Sequence, residues 1–184
     1  FKVMSANTPI RLPEDLKGKR MRIQPSRVLE AQMEALGATP IPLAFSDVHT
    51  ALETGLVDGT ENPPSNLYSK KMHEVQKYVA VTNHGYLGYA VIVNRKFWNS
   101  LPADLRVTLE RCMIDATRKN DDEAEKLNAQ ALLKVKASKN TQVVMLNSSE
   151  LEAWRKALEP VHRRMESRIS KELIGSIRKA AAVQ

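Results

Sequence analysis

Two polar residues stand where a sequence of this kind can do chemistry. Arg22 lies between Met21 and Ile23 inside a short apolar run. Burying a guanidinium is costly unless it is paired, and its planar fork suits a bidentate contact with a carboxylate. The spacing also fits an edge-strand arginine in solvent, or one paired with an internal acid. The second residue is Asn62, in Val57-Asp58-Gly59-Thr60-Glu61-Asn62-Pro63-Pro64-Ser65-Asn66. Pro63 restricts Asn62 to extended geometry and so aims its side chain. The C-terminal ends of strands in α/β sheets are where ligands bind, which makes Asn62 a candidate donor to a ligand oxygen. Equally, Asn62 and Ser65 fit as caps of the following helix.

Other chemistry has little footing. There is no glycine-rich phosphate loop, no GxSxG and no CxxC, and His49, His73, His84 and His162 lack metal-ligand spacing. Asp58 and Glu61 are too close along one segment to resemble a glycosidase pair. The missing motifs lower the standing of an enzyme without excluding one: no metal and no cofactor are expected, and an α/β enzyme acting on a small carboxylate is the alternative. The one cysteine, Cys112, falls in a helical pattern and is expected to pack as a small hydrophobe. The net charge is +7, and the excess lies late. Residues 1–92 hold ten basic and nine acidic side chains, and residues 93–184 hold eighteen and twelve. Arg155, Lys156, Arg163, Arg164, Arg168, Lys171, Arg178 and Lys179 carry the excess. No aromatics alternate with them to stack bases. A solvated basic face is expected, with no nucleic-acid partner; a basic helical module binding an acidic partner is the rival.

These residues must be positioned by an α/β layer. Short apolar runs at 1–5, 20–24, 39–44, near 56–59, 78–82 and 86–94 read as strands, and amphipathic segments at 26–36, 46–54 and 65–77 as helices. Gly37 and Gly55 mark helix ends, and Ser46 a helix start. This alternation predicts a mixed or mostly parallel sheet. From Pro102 to about Lys139 no glycine or further proline interrupts the helical spacing of Leu105, Leu109, Cys112, Ala116, Leu127, Ala131 and Val135, so one long helix is expected. A strand at 141–146 follows. Ser149 and Glu152 are spaced as a capping box for a helix whose stripe is Trp154, Leu158, Val161, Met165, Ile169, Leu173 and Ile177. Pro160, inside that stripe, should kink or divide it. No run of 18 apolar residues exists, and no signal peptide is visible in these residues.

The segments around Arg22 and Asn62 also carry a resemblance. EDLKG at 14–18, the strand RMRI, GATPIPLAFSDVHTALETGLVDGTENP at 37–63, and EVQKY with TNHGY at 74–86 occur in an order and spacing similar to DctP-type solute-binding proteins of TRAP transporters. The likeness extends through FWNSLPADLRVTLE into the C-terminal helices, with Asp47 and His49 standing where Glu and Tyr are common. It implies a periplasmic-binding-protein lobe over 1–98, then long helices over 99–184, with most of a first lobe outside the sequence. It implies a periplasmic receptor that captures a small organic carboxylate, such as a C4-dicarboxylate, for the TRAP permease membrane subunits. Arg22 would pair with the ligand carboxylate, Asn62 would hydrogen-bond the ligand, and Phe45 would line the pocket. Gln24, Ser26, Tyr86 and Tyr89 lie near the same strand ends and are further candidates. Without a first lobe, Arg22, Asn62 and Phe45 would line an open face. The stripes of 105–135 and 151–177 would be uncovered, so the 184-residue chain should self-associate by helix pairing or exchange.

Overall fold

A computed structural model describes residues 1–181. Six four-residue strands form one sheet: β1 (Val3–Ala6), β2 (Arg20–Ile23), β3 (Thr39–Pro42), β4 (Gly59–Asn62), β5 (Tyr78–Val81) and β6 (Gln142–Met145). Their order is β3-β2-β4-β1-β5-β6. The sheet is mixed. Strand β1 runs antiparallel to β4 and β5, and the pairs β2–β3, β2–β4 and β5–β6 are parallel. Pairing at the centre depends on Gly59. A Cβ there would overlap the Ser5 carbonyl and stand 2.9 Å from Met21 Sδ.

Because successive strand residues face opposite ways, the sheet buries two separate cores. On one face, Met4, Ala6, Met21, Ile23 and Ala80 pack with Ala31 and Met33 of α1 (Arg27–Ala35). Trp154, Leu158, Val161 and Met165 of a later helix close the same core. On the other face, Val3 and Val79 pack with α2 (Val48–Glu53), α3 (Pro64–Ser69) and Val135. The short helix α4 (Arg95–Ser100) leads into α5 (Ala103–Ala137), the single long helix expected from its unbroken periodicity. At 1.5 Å per residue, its 35 residues span about 52 Å. Only Ala131 and Val135, near its C-terminal end, are buried. Helices α6 (Ser148–Ile169) and α7 (Lys171–Ala181) complete the described chain.

Several local expectations change. The strand expected at 86–94 does not form: these residues pair with none of the six strands. The segment 65–77 is not one helix. It breaks after α3 at Lys71, whose φ of 54° is left-handed, and resumes as a 3-10 turn at Met72–Glu74. Ser46 does not cap α2, because a 3-10 turn at Phe45–Asp47 precedes it and Ser46 Oγ bonds the Asp47 carboxylate instead. The capping box of α6 is Asn147 with Glu150, two residues earlier than the Ser149–Glu152 spacing. Helix α6 also passes through Pro160 undivided and ends at Ser170, where φ is 77°. Cys112 is exposed rather than packed, because no core of the described residues reaches the N-terminal half of α5. The stripe Trp154, Leu158, Val161 and Met165 is buried in its own core, which removes most of the patch expected on the last helices. The eight basic residues named there are exposed, as a solvated face requires.

Candidate functional site

Strand β2 is interior, so Arg22 is no edge residue. It is 1% exposed, and among the described residues no carboxylate lies within ion-pair distance of it. Its guanidinium is held by a backbone group. Nε and Nη2 both donate to the Leu43 carbonyl, at 3.1 and 2.6 Å. Leu43 is itself fixed by its N–H to the Ile23 carbonyl. Two of the fork's three nitrogens are therefore occupied. The third, Nη1, is buried and has no partner. An unpaired cationic donor in such a place is expensive, and burial pushes the Arg22 pKa below its usual value while the Glu61 carboxylate opposes the shift. The Phe45 ring lies against this guanidinium, with Arg22 Cζ 5.8 Å from its centroid and Lys70 Nζ 5.4 Å from it.

Register places Arg22 opposite Thr60, so Thr60 and Asn62 share the face of Arg22. Asn62 is 3% exposed. Its amide donates to Thr60 Oγ1 at 3.1 Å and rests 3.6 Å from Met72 Sδ, a weak acceptor that a carboxylate oxygen would outcompete. Asn62 does not cap α3. That helix starts at Pro63 without a side-chain cap of its own, and Asn128 on α5 supplies one by accepting the Ser65 N–H at 3.1 Å. Arg22 and Asn62 are closed over rather than lining an open face, because Leu43, Phe45, Thr60 and Met72 already surround them.

The weaker candidates divide. Gln24 follows β2, half-buried and without a hydrogen bond among the described residues. Ser26 is committed to capping α1, its oxygen accepting from Leu29 N–H. Tyr86 and Tyr89 are largely exposed and do not touch Arg22. They line a groove of about 670 Å³ with Pro63, Ser65, Met113 and Ala116, next to Asn62.

A cluster not anticipated from the sequence occupies the opposite face of the sheet. Glu61 receives Lys2 Nζ at 2.7 Å and faces His84 Nε2 at 3.3 Å, while His84 Nδ1 meets Thr82 Oγ1 at 2.6 Å. All four residues are buried at the side chain or nearly so. Glu61 is thus spoken for, as is Asp58, which Arg20 grips through both side-chain and backbone nitrogens. No group of three or more metal-ligating side chains occurs among the described residues. No described helix is long and apolar enough to cross a membrane.

Comparison with known proteins identifies the family. The profile of bacterial extracellular solute-binding proteins, family 7 (DctP), matches residues 1–168. The C4-dicarboxylate-binding periplasmic protein DctP of Rhodobacter capsulatus is 52% identical over 182 residues, which is 99% of this chain and 55% of that protein. A TRAP periplasmic solute-binding protein from Shewanella oneidensis, solved with bound succinate, superposes with a TM-score of 0.89 at 37% identity, over 95% of this chain and 57% of that one. A Pseudomonas aeruginosa counterpart with bound L-malate gives 0.84 at 40% identity, over 89% and 57%. The chain spans about half the length of the curated relatives it matches. It belongs to the DctP family of bacterial extracellular solute-binding proteins.

Proposed function

We propose that this lobe captures a small organic carboxylate, a C4-dicarboxylate or a related acid, outside the cytoplasm, as the receptor that delivers it to the membrane subunits of a TRAP transporter. The reading is of binding without catalysis. The observation that carries it is the buried Arg22 fork, whose Nη1 has no partner while Leu43 holds the other two nitrogens. A carboxylate oxygen at Nη1 would complete the guanidinium's hydrogen bonds and neutralise a buried charge. Asn62, one strand over on the same face, would donate to the same ligand, and Phe45 would wall it. Succinate or malate in two relatives of this fold supports the ligand class. The periplasmic names of relatives support the location.

Small-molecule sites enclose most of their ligand, and this chain spans only about half of its relatives. Affinity of the 184-residue chain alone is therefore expected to be weak, which makes NMR titration the suitable test. Succinate and L-malate should shift the resonances of Arg22, Asn62 and Phe45, and glucose should not. Arg22→Lys keeps the charge but loses the fork, and should weaken binding by about 1.5–3 kcal/mol, the range for a hydrogen bond to a charged group. Equal shifts with neutral solutes, or an unaffected Arg22→Lys titration, would overturn the reading.

A further inference from the structure

Asn62 ends its strand with little of its own to hold it. Strand β4 pairs with β2 only at Gly59 and Thr60, so the ladder neighbour of Asn62 is Val3 of β1. Its amide has Thr60 Oγ1 and the weakly accepting Met72 thioether for partners. The next restraint lies downstream. Pro63 and Pro64 are both buried, and a proline ring fixes φ. The link from Asn62 to Ser65 therefore has few soft torsions and passes on whatever holds Ser65. Asn128 holds it. The Ser65 N–H donates to Asn128 Oδ1 at 3.1 Å, and Asn128 Nδ2 donates to the Ala124 carbonyl at 2.8 Å, which decides which end of the amide faces α3. By helical spacing Asn128 shares one face of α5 with Ala131 and Val135. Val135 is buried in the same core as Leu67 of α3. Asn128 is the polar member of this seam, a poor helix former engaged at both ends of its side chain.

We propose that Asn128 is a positioning residue of the carboxylate site, setting the aim of Asn62 through the Ser65 amide and the two prolines. The role rests on the reading of Asn62 as a donor to the ligand. Asn128 itself need not touch that ligand, since both ends of its amide are committed within the chain. Helix α3 has six residues and no side-chain cap of its own. Without Asn128 the Ser65 N–H turns to water, the first turn of α3 loosens, and the Pro63–Pro64 link swings with it. Asn62 then no longer keeps one direction on the face it shares with Arg22. Contacts in a binding site must be held to about 0.5 Å, so a small swing is enough to lose one. Arg22 is held separately by the Leu43 carbonyl. The loss therefore falls on the Asn62 contact alone.

A double-mutant cycle on the 184-residue chain, read by NMR titration with succinate, tests the role. Asn128→Leu keeps the approximate shape but removes the acceptor. It should raise the dissociation constant about threefold to tenfold, the worth of one hydrogen bond. Asn128→Asp keeps an acceptor for the Ser65 N–H and should stay within about twofold of the parent. In an Asn62→Ala background, Asn128→Leu should change nothing further. Equal weakening in both backgrounds would overturn the role, because a general loss of structure acts on both alike. So would unchanged binding by Asn128→Leu in the parent background, or Asn128→Asp binding as poorly as Asn128→Leu. Should circular dichroism show Asn128→Leu unfolded, Asn128→Ala runs the same cycle. If Asn62→Ala leaves succinate binding unchanged, Asn62 is no ligand donor and the role of Asn128 falls with that reading. If Asn62→Ala weakens binding and Asn128→Leu does not, the role of Asn128 alone falls.

Discussion

Replacing Glu61 by glutamine is the sharpest test of the electrostatic layout. Glu61 and Lys2 are side-chain pairs with 1% and 6% exposure, and the His84 ring is sealed against the same carboxylate. Glutamine keeps the shape and can still bond His84, but it leaves the Lys2 ammonium buried without a counter-charge. Breaking one partner of a buried pair costs about 3–5 kcal/mol. Against a total stability of about 5–15 kcal/mol for a domain, that is a large fraction. With a urea m-value of about 2 kcal/mol per molar, the midpoint should fall by roughly 1.5–2.5 M. Adding Lys2→Met removes the stranded charge and fills the space of the lysine stem, so the double variant should recover most of the loss. Urea unfolding followed by far-UV circular dichroism, at one protein concentration throughout, reads both numbers. A single-variant cost below about 1 kcal/mol, the value of an exposed pair, would refute the claim that this cluster is a dry ion pair.

Gly59→Ala should destabilise by about 1–3 kcal/mol through overpacking, since a Cβ would meet Ser5 and Met21, and thermal unfolding would show it. Asn147→Ala should cost about 1 kcal/mol by removing the reciprocal cap with Glu150 at the start of α6, checked by urea unfolding. His162 has its pKa held below the usual histidine value, first by burial and then by Arg178, with Glu159 opposing. The unfolded chain then binds a proton near pH 6.5 that the folded chain does not, so this contribution is present above the unfolded pKa and lost as pH falls through and below it. Unfolding free energies at pH 7 and pH 5 should differ less in His162→Gln than in the parent chain.

Legibility in the sequence followed the range of the signal. The long α5 was readable because its periodicity is local and uninterrupted, and Arg22 stood out because a cation inside an apolar strand contradicts its surroundings. What holds Arg22 was not readable, since the Leu43 carbonyl is a backbone group and leaves no side-chain signature. The cap on α3 was missed for a different reason: Asn128 arrives from 63 residues away. Lys2, Glu61 and His84 come from three separate segments that only the sheet order brings together. Cys112 and the 86–94 run were misplaced because a pattern states which residues share a face or want a neighbour, not whether a neighbour is present. The α6 stripe divides where Ser170 turns left-handed, a backbone event that its apolar spacing does not record.

The placement of Trp154 gives the molecule a built-in optical gauge. The chain has two tryptophans. Trp98 is half-buried on α4, whereas Trp154 is sealed beneath α6 with its indole N–H donated to the Arg11 carbonyl at 2.9 Å. Its emission should therefore be blue-shifted and should move red when α6 lifts from the sheet. Arg22, Asn62 and Phe45 lie on the other side of that sheet, so occupancy there should leave the Trp154 signal unmoved. Undocking of α6 can therefore be followed without attaching a dye and without interference from events on the other face.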